Sequence, residues 1–251
     1  YLCLYEIMAI NNPYAPIEHK VYNRTFLHVA SASVEYADTS FLPYSQALTK
    51  YFDDNFRAAF NPAGAEPQSV KVSSKEGRLC FTFLHTGASV LVGAENYMSF
   101  ASSMQPRIGA LVAFLDTVGI DRVKNLSLRK ENVWDLKSDD VMTAYKSAIK
   151  YTFRNEEIRE VAGLSVPDGP KPVRLSREGT VSLGDGRLTV GFDAEILDDS
   201  HIRLILTLEA RAFDVVTSEI LQTSSVLNDI IYSAFNDLVS DDIIKLMEKP
   251  I

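Results

Sequence analysis

The chain has 251 residues, of which 46% are hydrophobic and 23% charged, with 12 Gly, 10 Pro and 2 Cys. These proportions are those of a globular protein and exclude disordered, collagen-like and disulfide-scaffold chains. Twenty-five Lys+Arg against 33 Asp+Glu give a formal charge of −8, which disfavours non-specific binding to phosphate backbones.

The first ten residues, YLCLYEIMAI, are mildly apolar but lack a basic stretch and a small-residue cleavage site, so no leader is expected there. Met8-Ala9 reads as a start, which makes Tyr1–Ile7 vector-derived or an upstream alternative start, and residues 1–20 are read as an N-terminal extension. Mean hydropathy is −0.02, and no apolar run approaches the ~20 residues that span a bilayer. Cys3 and Cys80 have no CxxC partner, a pattern expected of reduced thiols in a cytoplasmic protein.

Residues 26–36 alternate, with Phe26, His28, Ala30, Ala32, Val34 and Tyr36 on one face, which predicts a strand. After Pro43, apolar residues at Tyr44, Leu48, Tyr51, Phe52, Phe56, Ala59 and Phe60 keep a 3–4 spacing and predict a helix closed by Asn61-Pro62. Leu48, Phe52 and Phe56 are expected to pack on Ala30, Ala32 and Val34. Three short strands are predicted next, over Ser69–Ser73, Arg78–His85 and Ser89–Gly93. Ser99 is placed to cap a helix through Phe100, Met104, Ile108, Leu111 and Leu115, with Pro106 kinking it or marking its start and Gly119 ending it.

The order then recurs. Val123–Val133 reads as a strand, Asp139 to Thr152 as a helix, and Gly163–Pro172 as a loop. Strands are predicted near Val173–Leu183, Arg187–Leu197 and His201–Phe213, split by Gly184-Asp185-Gly186 and Asp198-Asp199-Ser200. Leu227, Ile230, Ile231, Ala234, Phe235 and Leu238 predict a helix, followed by a short one from Ser240. The expected fold class is therefore α+β, in two pattern-similar halves, 21–120 and 121–251. Each reads strand–helix–three strands–helix, with a largely antiparallel sheet packed by helices, and the two form one compact unit.

Recognisable chemistry is sparse. No phosphate-binding glycine loop occurs, and Gly163 to Pro167 mimics a nucleophile elbow but ends in proline within a loop. His19, His28, His85 and His201 are isolated, so neither a metal site nor a cofactor is expected, and His28 reads as a core histidine. The densest basic stretch, Arg122 to Lys130, carries four cations beside Asp121. Asp193 interrupts the run Leu188 to Phe192 and needs a partner. Arg129 alternates away from Leu126 and Leu128 and can supply one. A polar cluster of Arg129, Asn132 and Asp193 is the site these residues nominate, as a structural ion pair before a catalytic group. Trp134 reads as core or rim.

Two segments carry a resemblance. Tyr97-Met98-Ser99-Phe100, a helix, and then Arg122-Val123 and Leu128-Arg129-Lys130-Glu131-Asn132 resemble a stretch of a sporadically distributed family of uncharacterised bacterial proteins of about 250 residues. Leu227-Asn228-Asp229, Phe235, Leu238-Val239-Ser240 and Leu246-Met247 are similar to its closing motif, and Asp193 matches a strand aspartate in that family's second half. The chain departs from that family at Lys130-Glu131, where Tyr-Ile is usual, at Asn228, where His is usual, and at Pro106. The resemblance implies a bacterial protein and carries no activity.

A non-enzymatic binding or assembly component of an accessory system, such as phage defence or toxin control, is the first functional expectation. Its partner would be protein, self or another subunit. The alternative is a small-molecule-binding domain or an unrecognised enzyme, with its site between the sheet and the C-terminal helix.

Overall fold

Period-2 apolar runs build the sheet of the described residues. The structure, a computed structural model, describes residues 10–15, 17–22, 25–36, 56–60, 70–74, 80–84, 86–137, 174–198 and 200–249. The described residues form nine strands: β1 (Leu27–Tyr36), β2 (Phe56–Phe60), β3 (Val70–Ser74), β4 (Cys80–Leu84), β5 (Gly87–Gly93), β6 (Arg122–Lys137), β7 (Arg174–Ser182), β8 (Gly186–Asp198) and β9 (His201–Val216). They form one sheet in the order β2-β3-β4-β5-β1-β6-β9-β8-β7, with antiparallel neighbours throughout. Three helices complete the described fold: α1 (Gln105–Thr117), α2 (Ile220–Leu238) and α3 (Asp241–Glu248). The fold is α+β.

Strand β9 shows why one face of the sheet takes the helices. Ile202, Leu204, Leu206, Leu208, Ala210 and Ala212 are fully buried, while the alternate residues Arg203, Thr207, Glu209 and Arg211 stay half-buried on the other face. Helix α2 lies across β9 and β6, and α1 packs against β5 and α2. Leu227, Ile230, Ile231, Ala234, Phe235 and Leu238 form the buried stripe of α2, at the 3–4 spacing an amphipathic helix requires. One cluster of buried side chains runs from Leu27 to Met247. No described helix is long and apolar enough to cross a membrane.

The entry to α1 is irregular. The Ser99 hydroxyl accepts from the Ser102 N–H at 3.1 Å, and Phe100–Met104 form a wide turn in which the Gln105 N–H reaches back five residues to the Phe100 carbonyl. Pro106 then occupies the first turn of α1, where no N–H is needed. Gly119, at φ 75°, ends the helix in the left-handed region.

Two expectations change. Phe56–Phe60 is a strand paired with β3, not the end of a helix. The 3–4 spacing of Phe56, Ala59 and Phe60 is too short a sample to decide the period, and pairing with Val70–Ser74 overrides it. The rest of that predicted helix, with Leu48 and Phe52, lies outside the described residues, as do the predicted helix from Asp139 to Thr152 and the loop Gly163–Pro172. Ala30, Ala32 and Val34 are buried. His28 is exposed rather than core, because a register shift between Leu27 and Val29 turns it off the apolar face.

Candidate functional site

Strict alternation in β6 puts polar residues where an apolar layer is due. Positions 126, 128, 130, 132 and 134 share the helix-covered face, so Lys130 and Asn132 follow Leu126 and Leu128 into it. In register, Lys130 lies between Ala30 of β1 and Leu208 of β9. A cavity of about 410 Å³ opens above this row. Its floor is Lys130, Asn132 and Leu208. Its roof is α2 through Asn228, Ile231, Tyr232 and Phe235, and residues 19–22 and 97–100 close the sides.

The Lys130 Nζ donates to Asn228 Oδ1 at 2.7 Å and stands 5.5 Å from the centre of the Tyr97 ring. Among the described residues no carboxylate lies within ion-pair distance of it. Burial penalises the ammonium and lowers its pKa from 10.5 to about 8, with the Asp229 charge opposing the shift. Asn132 is only 6% exposed, yet its carboxamide makes no hydrogen bond among the described residues. Asn228, 3% exposed, lines the cavity and accepts from Lys130 through its oxygen.

The mouth is held by an aromatic and ionic clasp. The His19 ring stacks on Tyr232 with centres 4.1 Å apart, and His19 Nε2 lies 3.0 Å from Asp229 Oδ1. The Tyr232 hydroxyl accepts from the Lys20 N–H at 2.9 Å, and the Tyr22 hydroxyl donates to Asn236 Oδ1 at 3.0 Å. Lys20 Nζ pairs with Glu248 at 2.9 Å. Burial raises the Tyr22 and Tyr97 hydroxyls above their ordinary value, so both remain neutral donors. Val21 and Met98, each 80% exposed, flank the opening.

Of the three residues nominated by sequence, only Asn132 reaches this cavity. Arg129 is on the opposite face of β6, where its Nη2 pairs with Glu131 Oε2 at 2.8 Å. It sits beside Glu209 of β9, whereas Asp193 of β8 pairs with Ile205, four positions further along β9. An odd and an even position of one strand point to opposite faces, so Arg129 and Asn132 do not meet. Trp134 is buried and tilted against Phe26, with ring centres 5.3 Å apart. His201 Nε2 lies 3.3 Å from Asp135 Oδ1 at the β8–β9 turn.

Lys130 and Asn228 were not nominated as site residues from the sequence, where Lys130 reads as part of a basic stretch and both as departures from the resembled motif. The signal for Lys130 was its even position in a run of core-facing residues. No protein-family model and no curated protein matches the chain.

Proposed function

We propose that the protein is a small-molecule-binding protein whose ligand occupies the cavity between the sheet and α2. The observation that carries this reading is a cavity of about 410 Å³ whose lining brings Lys130, Asn132 and Asn228 together beside apolar side chains. Pockets for small organic molecules occupy roughly 300–1,000 Å³ and combine apolar walls with a few convergent polar groups. Leu208, Ile231, Phe235 and Phe100 supply the walls here; Lys130, Asn132 and Asn228 supply the polar end.

The distribution of exposed apolar residues supports ligand binding over assembly. Val21 and Met98, the most exposed large hydrophobics among the described residues, flank the mouth of the cavity instead of marking a separate docking patch. A bound molecule would cover them. The repetition expected from the sequence belongs to this proposal too. On that reading β1 and β6 are equivalent first strands at the sheet centre, each flanked by the last strand of the run that follows it, β5 and β9.

Filling the cavity tests the reading. Leu208→Trp projects an indole from its floor, so an environment-sensitive apolar dye that binds the wild-type chain should lose at least tenfold in affinity for the variant. Equal dye binding by a folded Leu208→Trp protein would remove the cavity as the site.

A further inference from the structure

The polar end of the cavity has a composition that narrows its ligand. It offers one lysine with no carboxylate partner among the described residues and two asparagine side chains. Resting on the reading of the cavity as a ligand site, we propose that the ligand is an organic monocarboxylate, its carboxylate held by Lys130, Asn132 and Asn228 and its apolar body lying along Leu208, Ile231 and Phe235.

The argument is one of complementarity. A protonated lysine has three N–H donors, and only one is engaged, by Asn228 Oδ1 at 2.7 Å. The Asn228 amide donates two N–H groups and the Asn132 amide two more. An acceptor-only group with two oxygens answers this excess of donors, and a charge-assisted bond to Lys130 is the stronger kind. A single negative charge suits a single cation. A phosphate dianion would bring a second charge and a third oxygen into walls made mostly of aliphatic and aromatic side chains, against the desolvation cost of an uncompensated charge.

The other charges around Lys130 do not supply this anion. From α2, Asp229 is 61% exposed at its side chain and occupied by His19; from α3, Glu248 is 43% exposed and occupied by Lys20. Both carboxylates sit at the solvated rim, where screening weakens their hold on a buried amine. Tyr22 and Tyr97 face the cavity as neutral phenols, and Tyr232 is engaged by the Lys20 N–H. A carboxylate arriving at Lys130 would favour its ammonium form, so binding above the apparent pKa of the amine takes up a proton.

Isothermal titration of the full chain with benzoate, octanoate, benzyl alcohol, octanol and inorganic phosphate tests the proposal. At pH 7 the carboxylates should bind at least tenfold tighter than the matching alcohols, the scale of a hydrogen bond to a charged group. Above pH 8 the preference should decline by up to tenfold per unit. Lys130→Met should bind alcohol and carboxylate alike at every pH, and Asn228→Asp, which places a carboxylate on Lys130, should lose the preference while still binding octanol. Carboxylates and alcohols binding alike to the wild-type chain would overturn the carboxylate assignment and leave the cavity as a ligand site. Phosphate displacing benzoate at equal concentration would overturn it in favour of inorganic anions. No binding by any probe would overturn both readings.

Discussion

Lys130 charges the folded chain an electrostatic penalty that a methyl-ended side chain would not. Its amine titrates near 8 when folded and near 10.5 when unfolded. Between those values the unfolded chain holds more protons, so stability rises with pH across that window and is lowest below it. The shift corresponds to about 3 kcal/mol as an upper bound, reduced by whatever water the cavity admits. Lys130→Met should therefore raise the stability of the ligand-free protein at pH 7 by roughly 1–3 kcal/mol, and should flatten the rise between pH 8 and 10.5 seen for the wild-type chain. Urea unfolding of both proteins at pH 7 and pH 10 measures this; a Lys130→Met protein less stable than wild type at pH 7 would mean that Lys130 is a structural group. Such a gain would mark a residue kept at the expense of stability, as binding residues are. The position was readable as an anomaly, since Lys130 continues the face of Leu126 and Leu128. A site between the sheet and the C-terminal helix was expected, but its lining was not readable, because residues 19–22, 97–100 and 228–235 converge on it only through the tertiary fold.

At the scale of elements, turns and caps carry sharp expectations. Ser99→Ala removes the hydroxyl that accepts from the Ser102 N–H and should cost about 1 kcal/mol, measured by thermal unfolding. It should also weaken ligand binding, because Ser99 and Phe100 border the cavity. Gly87 opens β5 against β1, and a Cβ there would overlap the Val34 carbonyl oxygen. Gly87→Ala should destabilise by about 1–3 kcal/mol; an unchanged melting temperature would show that β1 can move aside. Gly186 opens β8 against the Arg211 carbonyl in the same way. The longer alternating runs, β6, β8 and β9, were legible because a period of two repeated over many residues cannot be mistaken for 3.6. Phe56–Phe60 was misread because five residues fit either period, and the pairing that decides between them comes from β3. His28 failed for a related reason: a single register shift moves a side chain across the sheet, and no spacing in the sequence announces it.

Across the whole molecule, the sheet order separates local from distant pairing. β3, β4 and β5 pair as a run of neighbours, as do β7, β8 and β9, whereas β1 and β6 meet from far apart, Ala30 opposite Lys130. That seam lies at the middle of the nine described strands, and β6 on one side of it carries the polar floor of the cavity. Pairings of such long sequence separation are slow to form. During synthesis β5 is available to β1 well before β6 has left the ribosome, so the other edge of β1, with Ala30, Ala32 and Val34 on its apolar face, waits without a neighbour. An open, apolar edge of that kind recruits other chains. Release of a chain ending at residue 120 should therefore give aggregates or edge-to-edge oligomers, seen by light scattering, while a soluble monomer would show that β1 is protected by other means. On the proposed reading, the nascent protein is thus most exposed to misassembly beside the strand that carries the cavity floor, and a small molecule that bound there early would act as its chaperone.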